Sequence, residues 1–487
     1  MVEPLYMYWP ADRPAPSTPI ASGYALRPFR PGDEGAHIAL LASADLGNWD
    51  LARLKQHILS DPLSPDGIFF VTRDGVPVGC ASVHDRTPPR ARKRVGELGW
   101  LAVHPDHRGC ALGAAVCAAA IQHLLARGFE FIRLQVDESR PAAVKTFLKL
   151  GFLPVLRNAP VRARWQALWA KLDWDQCDAA PLRKVTRDVT TCAHSRFNAP
   201  TLSVSCGETF LAETELCSGD WLTSIDDRWR PGIGFGPNPT VVVEIDGAQP
   251  GDVLAVQVDA VQPDELGYTG FGPGVTPFPD WIRHVEWGVV TRTVRIRDGF
   301  VEWSDDLKLP IQPMIGTLGT APAIEVFSNA WPGQHGGNMD AQEVRPGATV
   351  YLPVSVPGAL LHIGDVHAIQ GDGEICCGGG IECRSEVTLT VGLAPGPERM
   401  AWPRIVDDTH LTAVGCARPA EDAFRIATEQ LIYWLADSYD MDERDAFLLL
   451  GQVLEARCTQ FVDPLYTYVA KIQRGYLLRG VNAAPVE

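Results

Sequence analysis

Side chains capable of hydrolytic chemistry are concentrated in one stretch of the chain, from Gln334 to Glu382. It begins with QHGGNMD, continues through a segment rich in proline and glycine, and reaches GDVHAIQGDGE at residues 364–374. Its polar candidates are His335, Asn338, Asp340, Asp365, His367, Asp372 and Glu374. Because glycine lets neighbouring backbones approach closely, these side chains can converge on one small pocket. Such a density of polar groups predicts an active site in this stretch.

A second motif with chemical potential is HRGCALG, from His107 to Gly113. It is a short glycine-bearing turn that precedes a helix rich in alanine and leucine. Glycine allows close approach of the backbone, and the start of a helix directs unpaired N–H groups at an anion. The motif therefore predicts binding of an anionic cofactor through its phosphates.

The bulk composition is that of a globular protein with more than one domain. A chain of 487 residues exceeds the size of one ordinary core, which predicts two or three domains. Up to residue 175 there are 21 Lys/Arg and 17 Asp/Glu, whereas the remainder has 22 and 42. The mildly basic first part suits an anionic cofactor. The acidic remainder argues against nucleic acid as a partner, since phosphate binding needs clustered basic residues.

Cysteine usage and hydropathy predict a cytoplasmic protein that does not enter the membrane. The twelve cysteines are scattered and form no CxxC pair, and the N-terminus lacks the features of a secretory signal. No window approaches the roughly 18 uninterrupted apolar residues of a membrane span. We therefore expect reduced thiols.

The first part of the chain alternates strands and helices. After a Pro/Ala-rich tail at residues 1–23, we predict a strand, two helices, a hairpin, a strand leading into HRGCALG, a long helix, a strand, a helix and the ending KLGF. This order and the turn resemble the GNAT superfamily of N-acetyltransferases over about residues 24–157. With a following linker helix, the predicted GNAT-like α/β domain spans residues 24–175.

The resemblance implies a binding site for acetyl-CoA. Its pyrophosphate would bind the backbone N–H groups of Arg108, Gly109, Ala111, Leu112 and Gly113, and its pantetheine and acetyl group would lie along Leu101 and Val103. Glu97 occupies a position where this superfamily often places its general base. The position of the usual proton-donating tyrosine is occupied by Phe147, which cannot donate a proton. The domain is therefore either an active transferase or an acyl-CoA sensor without turnover.

From Val189 onward, short β segments separated by Gly and Pro predict a β sandwich or barrel, and helices follow Pro419. The segments HSRFNAPTLSVSCGETFLAET, DGAQPGDVLAVQV, GTLGTAP, HGGNMD and YLPVSVPGALLHIGDVHAIQGDGE resemble the acetamidase/formamidase family in order. This second domain is assigned to residues 190–487. The resemblance implies hydrolysis of small linear amides to a carboxylic acid and ammonia, a β-rich fold with added helices, and a homo-oligomer.

Two mechanisms for amide hydrolysis are compatible with the polar stretch. In the first, zinc or a similar divalent metal is held by residues chosen from His335, Asp340, Asp365 and His367, and it activates water and polarises the carbonyl. In the second, no metal is needed. Glu374 or Asp372 is the base, Asp365 orients His367, and Asn338 stabilises the oxyanion.

The leading hypothesis is a multidomain, bifunctional enzyme that hydrolyses a small amide and acetylates a small amine. The alternative is an amide hydrolase controlled by a non-catalytic acyl-CoA-binding domain, which Phe147 favours.

Overall fold

The computed structural model describes residues 4–10, 13–17, 20–89, 91–174, 179–230, 232–272, 277–278, 288–376, 378–395 and 399–477. The chain divides into two compact units, Met1–Pro181 and Leu182–Glu487. Parts of the predicted tail and the C-terminal end of each predicted domain lie outside the described residues. The second unit begins before residue 190, because a strand at Arg183–Val185 pairs with Phe210–Ala212 of this unit.

The first unit is an α/β fold with one mixed sheet. Its strands are β1 (Leu5–Trp9), β2 (Ala25–Pro28), β3 (Ile68–Arg73), β4 (Val76–Asp85), β5 (Arg94–Val103), β6 (Phe129–Val136) and β7 (Leu153–Pro154). Its α-helices are α1 (Glu34–Ser43), α2 (Leu51–Leu54, extended by a π turn at Lys55–Leu59), α3 (Leu112–Ala126), α4 (Pro141–Leu150) and α5 (Ala159–Leu172), with a 3-10 turn at Pro105–His107. The strand order is β2-β3-β4-β5-β6-β1-β7, and β5 and β6 are parallel. Two apolar cores, on α3 to α5 and on α1 and α2, contact this sheet.

Within the predicted Pro/Ala-rich tail at residues 1–23, Leu5–Trp9 is extended and belongs to the sheet of the first unit. This segment is a strand between β6 and β7, antiparallel to both. Leu5 and Met7 have no exposed surface and Trp9 is 4% exposed. Burying such side chains contributes about 1.5–3 kcal/mol each, which outweighs the bias of the surrounding prolines toward irregular structure. The sequence signal for this strand is the alternation of Leu5, Met7 and Trp9 with tyrosines in LYMYW.

The second unit is rich in β structure. Its strands are β8 (Arg183–Val185), β9 (Ala193–His194), β10 (Leu202–Val204), β11 (Thr209–Thr214), β12 (Thr240–Ile245), β13 (Asp252–Phe271), β14 (Val290–Arg297), β15 (Phe300–Glu302), β16 (Lys308–Pro310), β17 (Met314–Gly319), β18 (Phe327–Ser328), β19 (Pro332–Gly333), β20 (Gly336–Gly337), β21 (Thr349–Pro353), β22 (Leu361–His367), β23 (Glu382–Pro395), β24 (Arg404–Val406), β25 (His410–Ala417), β26 (Glu455–Gln460) and β27 (Tyr466–Gln473). Its helices are α6 (Ala420–Tyr439) and α7 (Glu443–Val453), with a 3-10 turn at Arg474–Tyr476.

One large branched sheet organises this unit. Its main path is β10-β12-β22-β23-β13-β21-β24-β25-β27-β26, with β11 and β17 joined to β23 and β22. The inward faces of these strands form one continuous apolar core of Val, Ile, Leu and Ala. Helices α6 and α7 cover β25 and β27 through a separate apolar cluster that includes Leu431 and Leu450. The predicted multidomain architecture, an α/β domain followed by a β-rich domain with C-terminal helices, is confirmed.

No helix in the described ranges has both the length and the apolar character that crossing a membrane requires.

Candidate active site

Six ionisable side chains of the second unit meet at the end of the β22–β23 pair. They are Asp340, Asp365, His367, Glu374, Glu382 and Asp463, and we refer to them as the acidic cluster. His367 and Glu382 face each other in register on β22 and β23. The Nε2 atom of His367 lies 3.2 Å from Glu382 Oε2, 3.4 Å from Asp365 Oδ1 and 4.0 Å from Asp340 Oδ1. The cluster is almost entirely buried.

Irregular backbone brings these side chains to one point. Asp340, Asp365 and Glu374 have φ values of 44°, 54° and 40°, a left-handed conformation that is uncommon for residues other than glycine. The pairing of β17 with β22 skips Gly316 and Asp365 at this irregularity. A side chain at Gly316 would meet Asp340 Oδ1 at 2.4 Å and Asp365 Oδ2 at 2.7 Å. Glycine at this position therefore leaves the space into which both carboxylates point. Strained backbone of the kind seen at Asp340, Asp365 and Glu374 is common at functional sites.

Gln370 fixes the orientation of the His367 ring. Its Nε2 donates to the carbonyl oxygens of Asp340 at 2.9 Å and Thr459 at 3.1 Å. The Oε1 atom therefore faces His367 Nδ1 at 2.8 Å and accepts its proton. When the ring is neutral, the lone pair of Nε2 points at the carboxylates. An outer-shell partner of this kind is typical of histidines that bind metals.

Asn338 holds two carboxylates in place. Its Nδ2 donates to Asp340 Oδ2 and Asp463 Oδ2, both at 2.9 Å, and its Oδ1 accepts from Asn238 Nδ2 at 2.7 Å. The hydroxyl of Thr317 also donates to this oxygen. Both N–H groups are therefore in use, so this geometry does not fit the predicted role of Asn338 as an oxyanion donor.

The acidic cluster is electrostatically crowded. Burial and the neighbouring Asp365 raise the pKa of Asp340 to about 6. Burial raises the pKa of Glu382 to about 7, although His367 opposes this. Burial and Asp340 raise the pKa values of Glu374 and Asp463 well above their usual range. Burial disfavours the charged form of His367, but Glu382 and Asp365 outweigh it and raise its pKa. Carboxylates so close together need either protons or a cation between them.

A divalent cation fits this arrangement. Within the described ranges, five buried atoms of the cluster have no hydrogen-bond partner: Asp340 Oδ1, Asp365 Oδ1, His367 Nε2, Glu374 Oε2 and Glu382 Oε2. Asp340, Asp365 and His367 each offer one ligand atom within 4.8 Å of the others, and so do His367, Glu374 and Glu382. Leaving such groups uncompensated is costly, and imidazole with carboxylates is a donor set suited to zinc.

His335 is not part of the acidic cluster. Its ring stacks on Phe327 with a centroid distance of 5.0 Å and contacts His194 edge-on at 4.8 Å. The ring centroids of His194 and His362 lie 4.3 Å apart, so His194 contacts both His335 and His362. The structure does not bring His335 together with Asp340, because the turn at Gly336 and Gly337, both with positive φ, separates the two side chains. The HxxxxD spacing was therefore a misleading guide to metal ligands.

Asp372 lies at the surface. Its side chain is 64% exposed and forms an ion pair with Arg457, and Gln342 Nε2 donates to it at 3.4 Å. The prediction that Asp372 acts as a base does not fit this position, whereas Glu374, two residues later, is buried in the cluster. The turn at Gly373, with φ of 79°, directs the two side chains differently.

Sequence reasoning missed Glu382, Gln370 and Asp463 as site residues. Glu382 ends the polar stretch, and the density that indicated Glu374 could also have indicated it. Asp463 follows β26, more than 80 residues beyond Glu382, and no spacing in the sequence connects the two. Gln370 has no signal of its own, because its role depends on two backbone carbonyls from other segments.

In the first unit, β5 and β6 separate in the manner expected of a cofactor cleft. Their parallel pairing runs from Arg94–Phe129 to Glu97–Arg133, while β5 continues to Val103. The pairing of β5 with β4 is also irregular here, and Trp100 has φ of 51°. Leu101 and Val103 lie on this separated end, and a Cβ at Gly113 would contact both side chains. The structure thus brings the predicted pantetheine and pyrophosphate segments together.

The predicted pyrophosphate loop precedes α3. Gly109 and Ala111 have φ values of 84° and 55°, and α3 begins at Leu112. The N–H of Arg108 was predicted to bind the pyrophosphate. It instead donates to the Pro105 carbonyl at 3.2 Å and so closes the preceding turn. The Nε of Arg108 donates to the Val103 carbonyl at 3.3 Å.

Glu97 is held between two arginines. Its oxygens lie 3.3 Å from Arg86 Nε and 3.1 Å from Arg133 Nε. Both carboxylate oxygens of Glu97 are therefore engaged in ion pairs with arginines. Phe147 is buried and packs edge-on against Phe152 with a centroid distance of 6.2 Å.

Comparison with known proteins assigns both units. Residues 328–467 match the model of the Acetamidase/Formamidase family, and residues 39–152 match that of the Acetyltransferase (GNAT) family. The solved structure of a predicted acetamidase/formamidase from Thermoanaerobacter tengcongensis is 30% identical, with a TM-score of 0.57, and the match covers 61% of this chain and 96% of that one. The chain belongs to the acetamidase/formamidase family. An acetamidase from Bacillus halodurans is 31% identical over 60% of this chain and 98% of its own, with a TM-score of 0.56.

The GNAT domain has curated relatives of its own. A mycothiol acetyltransferase from Thermobispora bispora is 36% identical over 151 residues, which is 29% of this chain and 51% of the relative. One from Streptomyces coelicolor is 33% identical over 148 residues, 29% of this chain and 46% of the relative. The chain thus spans about half the length of these relatives. It joins a domain that matches the Acetyltransferase (GNAT) family model to an acetamidase/formamidase domain, and both family descriptions are those of enzymes.

Proposed function

We propose that the second domain hydrolyses a small linear amide of the formamide or acetamide type to a carboxylic acid and ammonia or an amine. The observation that carries this proposal is the acidic cluster, where five buried atoms without a hydrogen-bond partner among the described residues face one another. The names of the solved relatives, acetamidase and acetamidase/formamidase, supply the substrate class.

A divalent cation such as zinc would be held by Asp340, Asp365, His367 and Glu382. When bound, it would supply an activated water and polarise the amide carbonyl. Gln370 keeps Nε2 of His367 directed into the site, and Asn338 keeps Asp340 and Asp463 in place. This donor set favours the cation-dependent mechanism over the metal-free one, because without a cation several of the buried carboxyl groups must be protonated, which removes the carboxylates that the reaction would use.

Glu374 is the proposed proton-transfer residue. It lies against His367 and Glu382, burial raises its pKa, and a positioned carboxyl group can act as a general acid or base. It would accept a proton as water attacks the amide carbon and return that proton to the departing nitrogen. The bond to the new oxygen forms and the C–N bond breaks, with no net change in protons.

Ammonia release from formamide, acetamide and propionamide tests this proposal. The purified full chain is assayed before and after treatment with a chelator, and again after zinc is added back. We expect activity that is lost on chelation and restored by zinc. Ammonia release that survives removal of all bound metal would favour the metal-free mechanism, and no release under any condition would refute the hydrolase.

We propose further that the first domain binds acetyl-CoA between β5 and β6 and transfers its acetyl group to a small amine. The names of its relatives make a mycothiol-related molecule the first acceptor to assay. Buried Phe147 and the two arginines at Glu97 favour a second candidate, a domain that binds acyl-CoA without turnover. Calorimetric binding of coenzyme A, combined with release of free coenzyme A across a panel of amines, separates the two. Binding without release supports the sensor.

A further inference from the structure

We propose that the thiolate of Cys217 is a ligand of the cation held by the acidic cluster. This inference rests on the proposed cation-dependent hydrolysis and extends it to the identity of the metal. Cys217 Sγ and one carboxylate oxygen each of Asp365 and Glu382 all lie within 4.8 Å of one another. Those two carboxylates are the ones that approach His367 Nε2. The sulfur therefore adjoins the same group of donor atoms as the imidazole.

The loop that carries Cys217 is firmly attached to the sheet. It follows β11, and Arg384 of β23 forms an ion pair with Glu215 and donates to the Leu222 carbonyl at 2.8 Å. The carbonyl of Cys217 itself accepts from the N–H of Asn238 at 2.8 Å. Asn238 also donates to Asp365 at 3.0 Å, so a single residue connects the cysteine backbone to the acidic cluster.

A chain of hydrogen-bonding groups ends at the sulfur. Trp221 Nε1 donates to Ser218 Oγ at 2.8 Å, Ser218 Oγ lies 2.6 Å from the Tyr268 hydroxyl, and that hydroxyl lies 3.0 Å from Cys217 Sγ. The Tyr268 hydroxyl therefore lies between Ser218 and the sulfur. If Ser218 donates to Tyr268, the phenol proton is directed at the sulfur. This arrangement stabilises a thiolate, and partners of this kind tune metal ligands.

Coordination by Cys217 involves no redox change. The thiol gives up its proton to solvent, and the sulfur then donates an electron pair to the cation. Cys217 is half-buried, whereas Asp365, His367 and Glu382 are buried. The thiolate would therefore lie on the accessible side of the cluster. A sulfur ligand favours zinc, cobalt or cadmium over magnesium, calcium or manganese, which prefer oxygen.

Cobalt substitution of the full chain tests the proposal without reference to amide hydrolysis. Metal-free protein is titrated with Co²⁺, and its near-ultraviolet absorption is followed for a sulfur-to-cobalt charge-transfer band. We expect the band in the wild type and in Cys376→Ser, a control at another half-buried cysteine. Cys217→Ser should lose the band while still binding cobalt, with an affinity lowered by roughly tenfold or more. A band that persists in Cys217→Ser would overturn the assignment.

X-ray absorption of the zinc-loaded wild type provides a second readout that requires no variant to fold. A sulfur scatterer at about 2.3 Å from zinc supports the proposal, and a shell of only nitrogen and oxygen overturns it. The wild type could also fail to bind either metal under any condition. That result would refute the cation site itself, and with it both the proposed cation-dependent hydrolysis and Cys217 as a ligand. Binding without sulfur would refute Cys217 alone.

Discussion

The side chain of Gln370 accepts the Nδ1 proton of His367 at 2.8 Å, and this contact decides which ring nitrogen faces the acidic cluster. The side-chain amide of Gln370 cannot flip by 180°, because its Nε2 donates to two backbone carbonyls. Replacing Gln370 with leucine removes the acceptor while approximately preserving volume. We expect the affinity for zinc to fall roughly 10- to 100-fold.

Zinc titration of metal-free Gln370→Leu with a competing chelator measures this loss. Gln473→Leu is the matched control, because Gln473 is exposed and contacts Glu455 away from the cluster. Equal zinc affinities in wild type and Gln370→Leu would show that the orientation of His367 does not depend on this contact.

Asp340 and Asp372 belong to the same sequence stretch and give opposite predictions. Asp340→Asn removes a buried cluster carboxylate, and we expect kcat/KM for acetamide to fall roughly 100-fold or more, with loss of bound metal. Asp372→Asn removes only a surface ion pair with Arg457, worth at most about 1 kcal/mol of stability, and should leave kcat/KM within a factor of about two. Equal losses in the two variants would contradict the placement of the site.

His335 should contribute to stability rather than to catalysis. Burial lowers its pKa to about 4 in the folded protein, against about 6.5 in the unfolded chain. Between these pH values the unfolded state binds the extra proton, so the free energy of unfolding falls as the pH decreases from 6.5 to 4. His335→Phe keeps an aromatic ring against Phe327 and removes this titration.

Denaturant unfolding across pH 4–7 measures the effect of His335→Phe. The pH dependence should become shallower by about 1.4 kcal/mol per pH unit, the value for one proton. Amide hydrolysis should persist. Loss of hydrolysis in a folded variant would place His335 in the catalytic machinery after all.

Local sequence patterns predicted the fold well and the site only in part. The order of strands and helices followed from periodicity and turn residues, which are local properties. Asp365 and His367 were candidates because of the density of polar residues in this stretch, and both lie on β22 beside the acidic cluster's other members. The prediction that His335 and Asp372 belong to the site does not fit the structure, because a glycine turn beside each residue directs its side chain away from the acidic cluster. Asp463 was missed because only the sheet topology brings it beside Asp340.

Met7 should be essential to the stability of the first unit. It has no exposed surface and lies on β1, within the core beneath α3 to α5. Met7→Ala should lower the free energy of unfolding by about 2–5 kcal/mol. Urea denaturation followed by tryptophan fluorescence measures this change. Ala15→Gly, at an exposed position of the same N-terminal segment, should change it by less than about 1 kcal/mol.

In the loop ahead of α3, replacing Ala111 with glycine should stabilise the fold. Ala111 has φ of 55°, which costs an alanine roughly 1–2 kcal/mol, and it caps a helix, where glycine is tolerated. The greater freedom of glycine in the unfolded chain lowers the free energy of unfolding by about 0.5–1 kcal/mol. The relief of strain outweighs this, so Ala111→Gly should stabilise the first unit by roughly 0.5–1 kcal/mol.

The same substitution tests the backbone conformation of the loop that is proposed to bind the cofactor. A loop with less strain should bind coenzyme A at least as tightly as the wild type in calorimetry, since the backbone N–H groups after Ala111 are retained. Ala114→Gly lies three residues later within α3, where glycine costs about 1 kcal/mol and relieves no strain. Thermal unfolding should therefore shift upward for Ala111→Gly and downward for Ala114→Gly. If both variants were destabilised equally, the left-handed conformation at Ala111 would be wrong, and with it the backbone geometry proposed for the pyrophosphate.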